Sequence, residues 1–339
     1  MNKPTILYGI LNWGLGHAAR SIPLIESLAV KYNVIIVASG ESCHFLKNNL
    51  NQHNISLLET PDYSIHYYNY MPAWGSVITQ LPKLFAIKNM HLKLAANLVD
   101  KYHPVAIISD SLFGFSHNKI PSILISHQLH HPYNFIYNRL IKQLNKLYDY
   151  IWIPDSPRNP LSGLLSKTEG YSQKVSYIGV LSRFQKIKSN IQSGENKQAL
   201  IILSGPEPMR SYFLEYTLKK IKKKYDTIIV AGHTKYQNKT IENPNVTYKG
   251  TLNIPAMASL ISGCDTIISR NGYTTLMDLC VLQKKAILIP TPGQPEQKYL
   301  AKYFVKKGWA APANYFRNGI EITQWPDVEY FDGKIPCFE

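Results

Sequence analysis

Two tandem α/β domains, each a Rossmann-like doubly wound parallel sheet, are the architecture the sequence predicts. Three observations carry that expectation. Short apolar runs alternate with stretches of helical periodicity from Thr5 onward, the pattern of strand-helix-strand units with right-handed parallel crossovers. The alternation breaks once, in a polar, basic stretch over 185–197, and restarts at Ala199. At 339 residues and 45% apolar content, the chain is long enough for two domains, each burying its own core. The expected division is 1–183 and 184–339, because linkers are polar and carry few contacts.

In the first half, Thr5 to Ile10 reads as a strand. Ala18 to Lys31 reads as a helix with Ile22, Ile25, Leu28 and Ala29 on its apolar face, followed by a strand over Asn33 to Ala38. A third strand, Ile55 to Leu58, runs into the aromatic stretch Tyr63 to Trp74, which has no periodicity. Val77 to Tyr102 is helical, with Lys83, Lys88, Lys93 and Lys101 set among Leu81, Leu84, Phe85, Ile87, Leu92 and Leu94. The plain reading is an amphipathic helix on a packed core, and the sharper one is a patch for an anionic interface or an acceptor. Val105 to Ser109 and Ser122 to Ile125 are the next strands, ending at Asp110 and at Ser126-His127-Gln128. A helix over Asn138 to Tyr148, a strand over Asp149 to Ile153, a Pro- and Gly-rich loop and a strand over Val175 to Ile178 complete the half.

The second half repeats the rhythm. Strands are expected at Ala199 to Leu203, Thr227 to Ala231, Val246 to Tyr248, Thr266 to Ile268 and Ala286 to Ile289. Helices are expected at Met209 to Lys224, Ile254 to Ile261, Tyr273 to Leu282 and Glu296 to Lys307. The two carboxyl edges are expected to face a ligand cleft.

Two turns carry the candidate chemistry. Asn12 to His17, NWGLGH, follows the first strand, and its glycines bring backbone close to whatever lies at the sheet edge. Gly14-x-Gly16-x-x-Ala19 with Glu41 imitates a dinucleotide fingerprint, but three residues separate strand from glycine and Trp13 would crowd a pyrophosphate. The alternative is His17 as a general base, kept neutral at a helix start and oriented by Asp110; the bland reading is a histidine that caps the turn. Trp13, His127 and Gln128 are candidate acceptor contacts at the same edge. His127, His130 and His131 match no metal-ligand spacing, so no metal and no cofactor is expected.

The second turn is Ser269 to Leu279, SRNGYTTLMDL, with GQPEQ at Gly293 to Gln297. A strand that stops at Ser-Arg-Asn-Gly and opens a helix presents unpaired N–H groups and partial positive charge, suited to a diphosphate. Asp278, in that helix, can accept both hydrogen bonds of a ribose diol. Gln294, Glu296 and Gln297 follow the next strand and fall on the same edge.

The net charge is +15, from 37 basic and 22 acidic residues. Attraction to anionic lipid or nucleotide substrates is one reading and general solubility the other. No helix-turn-helix, RNP or zinc-finger signature accompanies the charge, so nucleic acid is not an expected partner. The cysteines, Cys43, Cys264, Cys280 and Cys337, form no CxxC pair. No apolar run approaches the ~20 residues of a membrane helix, and the opening MNKPTILYGI leaves no room for a signal peptide. A cytoplasmic location, with association at the inner face of a membrane as its sharper form, is expected.

Ser269-Arg270-Asn271-Gly272, Thr275, Asp278, Ile289-Pro290 and Glu296-Gln297 resemble the C-terminal half of glycosyltransferase family 28, and Gly14-Leu15-Gly16-His17 resembles that family's glycine-rich loop. Ile178-Gly179 to Arg183 is similar to the end of its N-domain. The resemblance implies a GT-B fold, with an N-terminal acceptor domain and a C-terminal nucleotide-sugar domain. It implies a hexosyltransferase that moves a sugar from a UDP-sugar to a glycan, lipid or small-molecule acceptor, in the family's best-known case a cell-envelope glycan precursor. By it Asp278 binds uridine ribose, Glu296 and Gln297 touch ribose and sugar, and His17 lies near the acceptor. His17 with Asp110 also resembles the base dyad of plant-type UDP-glycosyltransferases. Gly16, Ser269, Arg270, Asn271, Gly272, Thr275 and Gln294 complete the implied donor site, with Arg183 or Arg270 as charge partner of the diphosphate.

Two departures shape the chemistry. The family's second glycine-rich loop reads Ser204-Gly205-Pro206-Glu207-Pro208, and proline without N–H beside an acid makes a poor phosphate cradle. Retaining GT-B enzymes resemble one another in an E-x7-E pair, whereas the residue eight before Asp278 is Arg270. An inverting, metal-independent transfer is therefore expected. The alternatives are a sugar-nucleotide epimerase of the same fold, a non-catalytic nucleotide-sugar binder and, more distantly, a dehydrogenase.

Overall fold

The computed structural model describes residues 3–61, 81–132, 135–187, 198–205, 207–221, 226–231 and 246–337. The aromatic stretch over 63–74 and the expected helix start at Val77 lie outside them. The chain divides into two compact units. The first comprises Met1–Asn12, Gly16–Leu181 and Val328–Glu339, and the second Trp13–Leu15 and Ser182–Asp327.

The first unit holds β1 (Thr5–Ile10), α1 (Gly16–Lys31), β2 (Asn33–Ala38), α2 (Gly40–Lys47), β3 (Ile55–Glu59) and α3 (Leu81–Tyr102). Then come β4 (Ala106–Asp110), β5 (Ser122–Ile125), α4 (Phe135–Asn145), β6 (Tyr150–Ile153), a one-turn 3₁₀ helix (Gly163–Ser166) and β7 (Lys174–Tyr177). Its strands form one sheet in the order β3-β2-β1-β4-β5-β6-β7, every pair parallel. The central strands are buried along almost their whole length, as near-continuous Ile, Leu and Val runs require when helices cover both faces. The register sets Asp110 opposite Ile10 on one side and Ile125 on the other. The segments that leave β1, β4 and β5 therefore emerge side by side.

The second unit holds β8 (Gln198–Leu203), α5 (Met209–Ile221), β9 (Asp226–Ala231), β10 (Val246–Lys249), α6 (Ile254–Gly263), β11 (Thr266–Arg270) and α7 (Tyr273–Val281). It continues with β12 (Ala286–Ile289), α8 (Pro295–Lys306), β13 (Ala310–Pro312) and β14 (Ile320–Ile322). The sheet order is β10-β9-β8-β11-β12-β14-β13. Strands β8 to β12 pair in parallel, while β14 runs antiparallel to both β12 and β13. Ser269 stands between Ile202 and Leu288, so the loops after β8, β11 and β12 are neighbours.

Three features depart from the expected layout. Helix α2 was unforeseen, since Gly40-Glu41-Ser42-Cys43 carries no apolar period; the structure buries Cys43, Phe45 and Leu46 on one face. The β13–β14 hairpin closes the second sheet with three-residue segments too short to read as strands. The expected domain 184–339 is also interrupted, because its last residues return to the first unit. Val180 N donates to Glu329 O and Phe331 N to Val180 O, and Arg158 pairs with Glu329 at 3.1 Å. Gly179, at φ 80°, leaves no room for a Cβ, which would stand 2.6 Å from Phe331 N. Only a residue without a side chain admits the tail there. Among the described residues no helix is long and apolar enough to cross a membrane.

Candidate active site

In the first unit the candidate chemistry gathers at the carboxyl ends of β1, β4 and β5. Gly14, at φ 77°, turns the chain after β1, and Gly16 opens α1. His17 then lies in the first turn of that helix, its Nδ1 2.8 Å from Asp110 Oδ1. The imidazole is 18% exposed and the carboxylate wholly buried.

One residue that the motif reading passed over dominates the surroundings. Arg20, three positions after His17 and so on the same helical face, is 1% exposed. Its Nε donates to Asp110 Oδ2 at 2.8 Å and its Nη2 to Asp110 Oδ1. Nη2 also stands 3.0 Å from His17 Nδ1, and Nη1 3.1 Å from His127 Nδ1. Ser21 Oγ adds a fourth hydrogen bond to the carboxylate, 3.0 Å from Oδ2, and receives one from Tyr8 OH at 3.1 Å. The signal available in the sequence was an arginine on the buried side of an amphipathic helix, a position that calls for a partner.

The electrostatics follow from this packing. Burial alone would raise the Asp110 carboxyl, but the Arg20 charge and His17 overcome it and hold the group well below the usual carboxylate range. His17 is pushed below its ordinary value, first by burial and then by Arg20, against the pull of Asp110. Asp110 therefore stays ionised and His17 stays neutral, as a proton acceptor must be. Burial, with Asp110 next, drives the Tyr8 hydroxyl far above its normal value, so it serves as a neutral donor.

Trp13 is 40% exposed. His127 is buried within the cluster, whereas Gln128 is tied by its backbone N–H to Ser126 Oγ at 3.1 Å. Glu41 lies in α2. Among the described residues no three His, Cys, Asp or Glu side chains converge as a metal set would.

The second unit assembles the turn after β11 with the loop after β12. Gly272 caps α7 with extended backbone at φ −79°. A Cβ there would meet nothing closer than Thr275 Oγ1 at 3.8 Å, so the glycine relieves no clash. Thr275 stands half-buried in the first turn of α7. Asn271 Nδ2 donates to Gln297 O at 2.9 Å, while its buried Oδ1 accepts no hydrogen bond. Gln297 Oε1 accepts from Thr291 N, and its Nε2 donates to Gln294 Oε1, both at 2.8 Å. The Gln297 amide thus braces the loop. Glu296 lies half-buried in the first turn of α8.

Asp278 is deeply buried, with Ser182 Oγ donating to its Oδ1 at 2.6 Å and Arg183 Nε 3.2 Å from its Oδ2. Burial raises this carboxyl, against the opposing pull of Arg183 and Ser182. Each carboxylate oxygen has room for about two hydrogen bonds, so accepting capacity for a diol remains. Ser182, next to the anticipated Arg183, was not singled out from the sequence.

Three residues take places the motif did not convey. Arg270, expected as a charge partner of phosphate, is buried at the end of β11. Its guanidinium lies 4.3 Å from the Phe213 ring centroid and donates to Pro290 O at 3.3 Å and Met209 O at 3.2 Å. Burial lowers its pKa to about 10. The cause is the face of β11 that it occupies, against Phe213 of α5; there the arginine ties the end of β11 to the start of α5 and to the loop after β12. Ser269 is likewise buried, within 3.5 Å of Ile202 O. Glu207, expected to repel anions, pairs with Arg210 at 3.2 Å and accepts from Ser211 N at 3.2 Å and Ser211 Oγ at 2.7 Å. A carboxylate of the chain itself therefore occupies the N-terminus of α5, where it is favoured by the unpaired amides.

Comparison with known proteins finds a family match in each half of the chain. Residues 187–315 match the Glycosyltransferase family 28 C-terminal domain, and residues 4–132 match Glycosyl transferase family 1. A UDP-N-acetylglucosamine–N-acetylmuramyl-(pentapeptide) pyrophosphoryl-undecaprenol N-acetylglucosamine transferase of Bacillus cytotoxicus is 31% identical over 137 residues, 37% of each chain. The curated relatives matched first are thus spanned over little more than a third of their length. The enzyme of the same name from Prochlorococcus marinus is 23% identical over 292 residues, 82% of this chain and 73% of that one. Among solved structures, Arabidopsis thaliana UGT89C1 complexed with UDP-L-rhamnose superposes with a TM-score of 0.59 at 15% identity, covering 96% of this chain and 88% of that one. Two Rossmann-like units of this kind define a GT-B protein. Within that class the chain resembles glycosyltransferase family 28 through its second half, as its sequence motifs indicated.

Proposed function

We propose that the protein is an inverting glycosyltransferase that moves a sugar from a UDP-sugar to an acceptor hydroxyl. The observation that carries the proposal is the neutral His17, held through Nδ1 by the buried, ionised Asp110 at 2.8 Å. That contact leaves the Nε2 lone pair as the base. The acceptor O–H proton passes to His17 Nε2 and the acceptor oxygen attacks the anomeric carbon. The bond from that carbon to the diphosphate oxygen breaks with its electron pair, releasing the nucleoside diphosphate. The single attack inverts the anomeric centre.

We assign the acceptor to Trp13, His127 and Gln128 and the donor to the second unit. Asp278 takes the ribose diol, the Gly272 end of α7 and Arg183 take the diphosphate, and Thr275, Gln294 and Glu296 take the remaining donor groups. Gln297, Asn271, Ser269 and Arg270 hold the loops that form the donor site. UDP as the donor nucleotide is supported by the names of the matched transferases and of the UDP-L-rhamnose complex. The matched transferases are named for a pyrophosphoryl-undecaprenol acceptor, which with a net charge of +15 supports a lipid-linked anionic acceptor and peripheral attachment to the membrane carrying it.

A screen of nucleotide sugars by thermal stabilisation names the donor, since a ligand at a hundredfold its Kd adds ~2.7 kcal/mol. His17→Ala should bind that donor as the wild type does and lose transfer. Undiminished transfer by His17→Ala removes the base assignment, and interconversion of the sugar nucleotide without acceptor would mark an epimerase instead.

A further inference from the structure

The position of Arg20 imposes more on the first unit than neutralising Asp110. A guanidinium donates hydrogen bonds and never accepts them, and a carboxylate does the reverse. His127 Nδ1, 3.1 Å from Arg20 Nη1, must therefore be the accepting nitrogen of its ring, which puts the proton of neutral His127 on Nε2. His17 Nδ1 faces conflicting demands, from Asp110 Oδ1 at 2.8 Å and Arg20 Nη2 at 3.0 Å. One nitrogen cannot donate to the first and accept from the second at once. Arg20 Nη2 is already directed at Asp110 Oδ1, so the approach of the two nitrogens is that of two donors converging on one oxygen. His17 consequently carries its proton on Nδ1 and keeps a lone pair on Nε2.

We propose that Arg20 is a positioning residue that fixes His17 and His127 in opposite neutral tautomers, one presenting a proton acceptor and the other a proton donor at the same sheet edge. The arrangement extends the usual pairing of a histidine with a carboxylate. Asp110 alone would favour imidazolium, whereas the guanidinium shares that carboxylate and sets a fixed positive charge beside the ring. The charged and titratable groups that face His17 are Arg20 from α1, Asp110 from β4 and His127 from the segment after β5. Tyr8 of β1 reaches Asp110 only through Ser21. Losing the Arg20 charge removes a repulsion that keeps His17 deprotonated, so its pKa must rise.

The tautomers are read directly from long-range ¹H–¹⁵N correlation spectra of the full-length, histidine-labelled protein, with His17→Gln and His127→Gln used for assignment. The expected wild-type pattern is Nδ1–H for His17 and Nε2–H for His127. The same tautomer in both rings, or Nδ1–H in His127, overturns the proposal without any need for an Arg20 variant to fold. The second measurement rests on the reading of His17 as base. In Arg20→Gln the acidic limb of kcat/KM for transfer should move up by about one pH unit or more, and Arg20→Lys, which restores the charge without the fork, should recover most of that displacement. An unmoved limb in Arg20→Gln overturns the tuning role. Undiminished transfer by His17→Ala instead overturns the base reading alone, because the spectra still decide the tautomers.

Discussion

Replacing Asp110 by Asn tests whether mutual neutralisation holds the first unit's buried charges together. Asp110 is fully buried and accepts from His17 Nδ1, Arg20 Nε, Arg20 Nη2 and Ser21 Oγ. Asparagine keeps the shape, removes the charge and replaces one accepting oxygen with a donor. Arg20, 1% exposed, then loses the carboxylate that neutralises it. Breaking a buried pair from one side costs about 3–5 kcal/mol. In a domain of 150–250 residues each kcal/mol moves Tm by about 2–4 °C, so the transition of the first unit should fall by about 6–20 °C. Calorimetry of wild type, Asp110→Asn, Arg20→Met and the double variant measures it. The double variant should lose less than the two single losses combined, because it buries no unpaired charge. A Tm for Asp110→Asn within about 2 °C of wild type, or strict additivity in the double variant, would refute the reasoning.

Three further expectations are open to measurement. Acid should destabilise the first unit in two steps, because both groups have folded values below their unfolded ones. Below about pH 6.5 the unfolded chain protonates His17 first, and below about pH 4 it protonates Asp110 first; a Tm that rises on acidification from neutrality contradicts this. Asp278→Asn should weaken UDP binding about tenfold or more, since hydrogen bonds to a charged group contribute about 1.5–3 kcal/mol; titration calorimetry that finds an unchanged Kd removes the ribose assignment. Gly179→Ala forces a residue at φ 80° against the backbone of Tyr330 and Phe331, at about 1–3 kcal/mol. Hydrogen exchange over 328–337 should accelerate, and wild-type protection there would show that the tail is held by other contacts.

Much of the fold was legible because its signals are local. The runs Thr5–Ile10, Ala106–Asp110 and Thr266–Arg270 are apolar enough to be buried on both faces, and parallel sheets built from such runs have few alternative topologies. The His17 and Asp110 pairing was also legible, since both stand at carboxyl ends of central strands. Helix α2 and the β13–β14 hairpin were not, because their burial comes from neighbours rather than from any period of their own.

By itself the sequence determined two Rossmann-like halves, the sheet edge of each candidate site and the residue types available there, because strand ends and helix starts follow from short-range pattern. Tertiary structure decided what those residues do to one another. It directed the buried Arg270 onto backbone carbonyls, gave Glu207 to the start of α5, returned the chain's end to the first unit and placed Arg20 between two histidines and one aspartate. Buried charges and backbone groups must find partners when water is excluded, and Arg20 finds its partner in Asp110, 90 positions along the chain, where no local pattern reaches.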